Sequence, residues 1–244
     1  MIPVEVCIHS ENESAVLESV SAAWCGGASC IELCSDMAND GLTPPVSHIE
    51  VAREAFYDQM GLLVMIRPEA GSFFYSDDTI QLMEYQISEA ANAGADGVVF
   101  GVLDTDTGQI DMESCRRLVG SAKDRGLKTT FHRAFDALSN WQRALDQLID
   151  LEFDRVLTAG IAWGETGTAV DGLQHLELIL GHAQESIEMV VGGINLQNVC
   201  EVSMRLMRVY PQFSIHTYSA VLENGLTSQG KVSLLRKQLA NVNY

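Results

Sequence analysis

The sequence predicts a TIM-type (β/α)8 barrel of eight parallel strands, on three observations. Eight short apolar runs alternate with longer segments of helical character. The runs are rich in Val, Ile and Leu, as strands covered on both faces of a parallel sheet are. The chain has 244 residues, and such barrels close as one domain at about 250.

The predicted strands are Val4–Ile8, Cys30–Cys34, Leu62–Arg67, Gly97–Gly101, Lys128–His132, Arg155–Thr158, Glu188–Gly192 and Phe213–Thr217. The segments between them carry helix signals. Ser47 stands three residues before Glu50, and Ser139 three before Gln142, which fits a capping box. Ser76 precedes Asp77 and Asp78, an N-cap followed by acids at the positive end of a helix. Asp111 and Asn195 read as further N-caps, and Gly26, Gly94 and Gly126 as helix stops. Gly27–Ile31 and Gly94–Val98 repeat one helix-to-strand junction. An open doubly wound sheet is the alternative, but eight strand–helix units favour closure. No Pro/Ser-rich linker divides the chain, so residues 1–244 are expected to form a single barrel domain.

The charge bounds the partners. With a formal net charge of -18 and a pI near 4.5, the surface repels phosphate backbones and anionic bilayers, which argues against nucleic acid and membrane. A small anion stays possible, because a few arginines and backbone amides can reverse the field inside a pocket. The opening residues lack a basic region and a long apolar run, so a signal peptide is not expected. A cytoplasmic protein with six reduced cysteines is the expectation. No CxxC pair occurs among them.

Barrels of this kind carry their chemistry at the C-terminal ends of the strands. Side chains two apart on a strand share a face. Glu5 and Cys7 therefore point together, as do Glu32 and Cys34 on the next strand, and both pairs are placed inside the barrel near its top. Buried carboxylates need partners, and Arg67 and Arg133, at the ends of strands three and five, are the predicted ones. Met65, His132, Thr158, Gly192–Asn195 and His216 complete the set of strand ends. Taken singly, a strand cysteine is most often a small core residue, and a strand histidine is most often satisfied within the core. Two chemistries fit the combination. Thiolate, thioether and imidazole donors suit Cu(I) or zinc, with Cys7 and Cys34 as first choices and Met65, His132 and His216 as further donors. The other is acid–base catalysis on a small anionic or phosphorylated substrate by a metal-independent lyase, isomerase or hydrolase. Glu5, Glu32, Arg67, His132, Arg133 and His216 would form that pocket, with Glu32 and His132 exchanging protons. Arg67 and the Gly192-Gly193-Ile194-Asn195 turn would hold the anion.

At these residues the chain resembles the CutC copper-homeostasis family. The matching stretches include EVC at Glu5–Cys7, IELCS at Ile31–Ser35, GLTPP at Gly41–Pro45, MIRP at Met65–Pro68, YSDD at Tyr75–Asp78, TFHRAFD at Thr130–Asp136, RVLTAG at Arg155–Gly160 and GGIN at Gly192–Asn195. The resemblance implies a TIM-type barrel in the cytoplasm, dimers or higher homo-oligomers, and a role in copper handling. The family's strand-end Glu, Arg and His positions fall on Glu5, Glu32, Arg67, His132, Arg133 and His216. Two departures stand out. Where the family usually has Arg-Gly-Gly-Asp after Pro68, this chain has Glu69-Ala70-Gly71-Ser72, one positive charge fewer. After strand eight it is expected to run from Tyr218 to Gly225 directly into a last helix, leaving the mouth open or covered by a neighbouring subunit. Trp141 and Trp163 are candidate exposed residues.

Overall fold

Strand and helix alternate along the chain, and the strands close on themselves. The structure is a computed structural model that describes residues 2–243. The strands are β1 (Val4–His9), β2 (Cys30–Cys34), β3 (Leu62–Met65), β4 (Gly97–Phe100), β5 (Lys128–Phe131), β6 (Arg155–Thr158), β7 (Glu188–Val191) and β8 (Phe213–Thr217). All pair parallel in sequence order, and β1 pairs with β8 to complete the barrel. The helices are α1 (Glu13–Gly26), α2 (Val46–Phe56), α3 (Asp77–Asn92), α4 (Met112–Lys123), α5 (Trp141–Asp150), α6 (Leu173–Ala183), α7 (Val199–Leu206) and α8 (Gln229–Ala240).

Alternation along each strand sorts the side chains. Val4, Val6, Ile8, Ile31, Leu33, Leu62 and Val64 belong to the large apolar core. That core lies between the sheet and its helical coat. Cys7, Cys34, Leu63, Met65 and Val99 form a separate, smaller cluster on the alternate face, within the barrel. Gly97 makes room there: a Cβ on it would lie 2.7 Å from Leu63 Cδ2 and 2.8 Å from the Lys128 carbonyl.

Several helix ends differ from expectation. Ser76 and Asp111 do cap α3 and α4, accepting from Thr79 N and from Glu113 and Ser114 N. Ser47 lies inside α2, whose first flank is Pro45, because proline already suits a helix start where no amide is needed. Asn140, one residue beyond Ser139, caps α5 by accepting from Arg143 N. Asn195 bonds Gln197 and Asn198 in a preceding turn, and α7 begins only at Val199. The residue that ends α1 in the left-handed conformation is Gly27 (φ 93°), not Gly26. After β8 the chain does not run straight into a helix. It makes a 3-10 turn at Ser219–Val221 and an antiparallel hairpin of β9 (Leu222–Glu223) and β10 (Leu226–Thr227) before α8. The Thr227 amide then donates to Ser19 Oγ on α1.

The interior holds charge as well as apolar groups. Glu5, 2% exposed, is bonded by Arg155 Nη2 at 2.8 Å and by His216 Nδ1 at 2.8 Å. One carboxylate thus links β1, β6 and β8 across the inside of the barrel. This corrects the partners predicted for the buried acids: Arg155, at the start of β6, takes the place assigned to Arg67 and Arg133. Replacing Arg155 by Met removes the guanidinium partner of a buried carboxylate and leaves it His216 alone, and breaking a buried ion pair in this way costs about 3–5 kcal/mol. Urea denaturation should show that loss for Arg155→Met, and a large part of it should return in the double variant Glu5→Gln/Arg155→Met.

Candidate functional site

The C-terminal mouth of the barrel opens on a cavity of about 240 Å³. Its lining includes Cys7, Glu32, Cys34, Met65, Arg67, His132, Arg133 and His216, all brought together as the sequence predicts. Glu5 is an exception. Parallel register sets Cys7 opposite Glu32 and Glu5 opposite Cys30, so Glu5 lies one layer deeper. It lines a second cavity, of about 420 Å³, with Pro3, Lys128 and Arg155 at strand starts. The two acid-x-thiol triplets are therefore staggered rather than level.

Sulfur gathers on the β1–β2 side. Cys7 Sγ and Cys34 Sγ are 3.8 Å apart and share a hydrogen bond, and Met37 Sδ lies 4.0 Å from Cys7 Sγ. Both cysteines are free and buried. Ligand atoms of Cys7, Glu32 and Cys34 lie within 4.8 Å of one another. The 3-10 turn Met37–Asn39, which follows β2, delivers the thioether.

Protons are distributed unevenly here. The hydrogen bond shared with Cys34 brings Cys7 down to about 6 against the opposing effect of burial, and His216 assists. The same bond, together with burial, pushes Cys34 well above the usual thiol value. Of the pair, Cys7 is thus the more acidic thiol and Cys34 the one that holds its proton more tightly. Burial opposes a charged His216, yet its bonds to Cys7 and Glu5 and the charges of Glu32 and Glu5 raise it well above the usual histidine value. Burial likewise works to raise Glu5, but the Arg155 charge and His216 outweigh it and hold Glu5 down at about 2. Glu32 has weaker help: its Oε2 is 3.5 Å from His216 Nδ1. Burial therefore pushes it up to about 8, and it keeps its proton.

The opposite side is built of rings and guanidinium groups. Arg67 is 1% exposed, and its donors reach the carbonyls of Asn39, Gly41 and Gly71. Its guanidinium lies 5.3 Å from the centre of the Phe73 ring. Arg133 bonds Asp136 through Nε at 2.7 Å and stands 5.3 Å over Trp163. His132 packs on Phe73, ring centres 4.9 Å apart, in space that only a glycine at 101 leaves free; a Cβ there would meet the imidazole at 2.7 Å. Burial, and then the Arg67 charge, lower His132 to about 3.

The Gly192–Asn195 turn is not among the residues that line this cavity, so its predicted part in holding an anion is not supported by its position. Gly193, in the left-handed region at φ 70°, has Ala169 N at 2.8 Å from where a Cβ would be, and its carbonyl accepts from Ala169 N and Asn198 Nδ2. The Gly192 amide is held by Thr158 O and the Asn195 amide by Asn198 Oδ1. Met37, Phe73, Trp163 and Tyr218 also line the mouth, though the sequence had not marked them as site residues. Trp163 and Trp141 are both partly buried against the core. None of the four sits on a strand, and only the short distance from Cys34 to Met37 hinted at one of them.

Comparison with known proteins settles the lineage. The model of the CutC family matches residues 2–209. The chain belongs to the CutC family. It is 39% identical over 200 residues to a CutC family protein of Vibrio campbellii, covering 82% of this chain and 76% of that one. It is 40% identical over 204 residues to the copper homeostasis protein cutC homolog of Mus musculus, covering 82% and 70%. The crystal structure of CutC from Streptococcus agalactiae superposes with a TM-score of 0.76 at 29% identity, covering 89% of this chain and 99% of that one.

The neutral, buried His132 has a measurable signature. Its value falls from 6.5 unfolded to about 3 folded, so between these limits the unfolded chain binds the extra proton. The contribution is fully present above 6.5 and is lost as pH falls towards 3, with a slope approaching about 1.4 kcal/mol per pH unit. Denaturant midpoints of His132→Gln should fall less steeply than wild type on acidification through this window.

Proposed function

We propose that the chain is a copper-homeostasis protein that takes up Cu(I) as cargo at the barrel mouth. The observation that carries this reading is the sulfur cluster: Cys7 and Cys34 at 3.8 Å, with the Met37 thioether 4.0 Å from Cys7. Thiolate and thioether are the soft donors that select Cu(I). At a metal–sulfur distance of about 2.3 Å, that of zinc thiolates, one ion can bond both cysteines without separating their strands. Met37 replaces Met65 as the favoured thioether, because Met37 makes the sulfur contact.

The proton inventory fits a cation. Cys7 offers a thiolate near neutral pH, and Cys34 releases its proton as the metal arrives. Glu32, protonated and adjacent, adds little charge to the site. The CutC names of the relatives support the copper assignment. A cytoplasmic location is part of this proposal and agrees with six free cysteines and with the absence, among the described residues, of any helix long and apolar enough to cross a membrane. Assembly into a homo-oligomer is proposed from the family alone.

Anaerobic titration with Cu(I) against a chromogenic chelator tests the reading. One ion per chain is expected. Binding should disappear in Cys7→Ser/Cys34→Ser and weaken by about tenfold or more in Met37→Leu, the low end of what loss of a supporting group costs a metal site. Unchanged stoichiometry and affinity in the double variant would remove the named site.

A further inference from the structure

The mouth contains a second set of groups that a Cu(I) site does not use. Arg67 is a fully buried guanidinium that bonds the uncharged carbonyls of Asn39, Gly41 and Gly71 and has the neutral Tyr75 hydroxyl near it, and among the described residues no carboxylate forms a salt bridge with it. Taking such a charge out of water costs several kcal/mol unless a counter-charge is supplied. Its Nε has no partner. Arg133 Nη2 and His132 Nε2 are also buried without partners.

His132 has a fixed tautomer. The Ala134 amide donates to its Nδ1 at 3.2 Å, so Nδ1 carries the lone pair and Nε2 carries the hydrogen. Three residues lining one cavity therefore each hold an unused N–H donor, and two of them are cations. Phe73 and Trp163, ring centres 5.0 Å apart at 65°, add apolar faces beside these donors.

From this juxtaposition we propose that the aromatic side of the mouth is a binding site for a small organic carboxylate, held by Arg67, Arg133 and the Nε2–H of His132. The volume limits the ligand to a small metabolite, since about 240 Å³ falls below the roughly 300–1,000 Å³ of pockets for drug-sized molecules. Phosphate esters fit less well. Barrels that bind them commonly use the turn after strand seven, and here two amides of that turn are already bonded within the chain. The site does not depend on the copper reading, for it uses none of the sulfur atoms.

The test is calorimetric titration of the copper-free full chain with acetate, pyruvate, malonate, succinate and inorganic phosphate. Quenching of Trp163 fluorescence is followed in parallel. At least one carboxylate should bind saturably at one site per chain, and more tightly than phosphate. A donor to a charged acceptor is worth about 1.5–3 kcal/mol, so His132→Leu should weaken that carboxylate by roughly tenfold to a hundredfold. His132→Gln, which keeps an N–H at the same reach, should lose less. Because a variant can fail for reasons of folding, the wild-type protein gives an independent readout. In nitrogen-15 spectra the His132 Nε2–H should be present in the free protein and should shift on saturation. Carboxylate binding should survive in Cys7→Ser/Cys34→Ser, which separates this site from the metal site. The proposal is overturned if no carboxylate binds, if phosphate binds more tightly, if the Nε2–H does not respond, or if the cysteine double variant abolishes binding.

Discussion

One carboxylate governs the interior of this barrel. Glu5 lies 2% exposed on β1 and remains ionised only because Arg155 from β6 and His216 from β8 both bond it. A charge held in that way ties three strands together across the inside of the cylinder. With Cys7 and Glu32 it also favours the protonated form of His216, and His216 in turn helps lower Cys7. The chemistry of the mouth thus depends on an ion pair one layer beneath it. In a TIM-type barrel the lower layers usually serve stability and the upper rim serves function; here the same residue contributes to both.

The mouth itself is divided by chemistry. On one side are two cysteine sulfurs, one of them acidic, and a thioether, all polarisable. On the other are two guanidinium groups and a neutral imidazole, set among aromatic rings. A site dedicated to a soft cation needs the first set only. The second set gathers positive charge near a site proposed for a cation, which repels the metal unless an anion is present as well. Glu32 stands beside the sulfurs and keeps its proton, which lowers the negative charge that could otherwise balance them.

The architecture could be read from periodicity because each strand is short, branched and apolar, and each is followed by a helix. The inward face was legible for the same reason: residues two apart point alike, so Glu5, Cys7, Glu32 and Cys34 all face inside, although Glu5 lies below the level expected of it. What periodicity along one strand does not encode is the stagger between neighbouring strands. Cys7 therefore pairs with Glu32, and Glu5 sinks to the level of Cys30. Arg155 was overlooked because a residue at the start of a strand belongs to the bottom of the barrel in this fold, yet its side chain is long enough to reach Glu5. Met37, Phe73 and Trp163 come from loops, where the path is set by tertiary contacts such as the bonds from Arg67 to Asn39, Gly41 and Gly71. The local signals at Ser47 and Ser139 lost to competitors one or two residues away, a proline at 45 and an asparagine at 140, while the Asn195 side chain does accept backbone amides but in a turn that precedes α7.

The central claim is that three sulfur atoms from β1, β2 and the turn after β2 converge to bind one soft ion. X-ray absorption at the copper edge of the Cu(I)-loaded protein examines it directly. The account predicts a first shell made of sulfur alone, at least two atoms of it. A first shell of nitrogen or oxygen, as His216, His132 or Glu32 would provide, would contradict it.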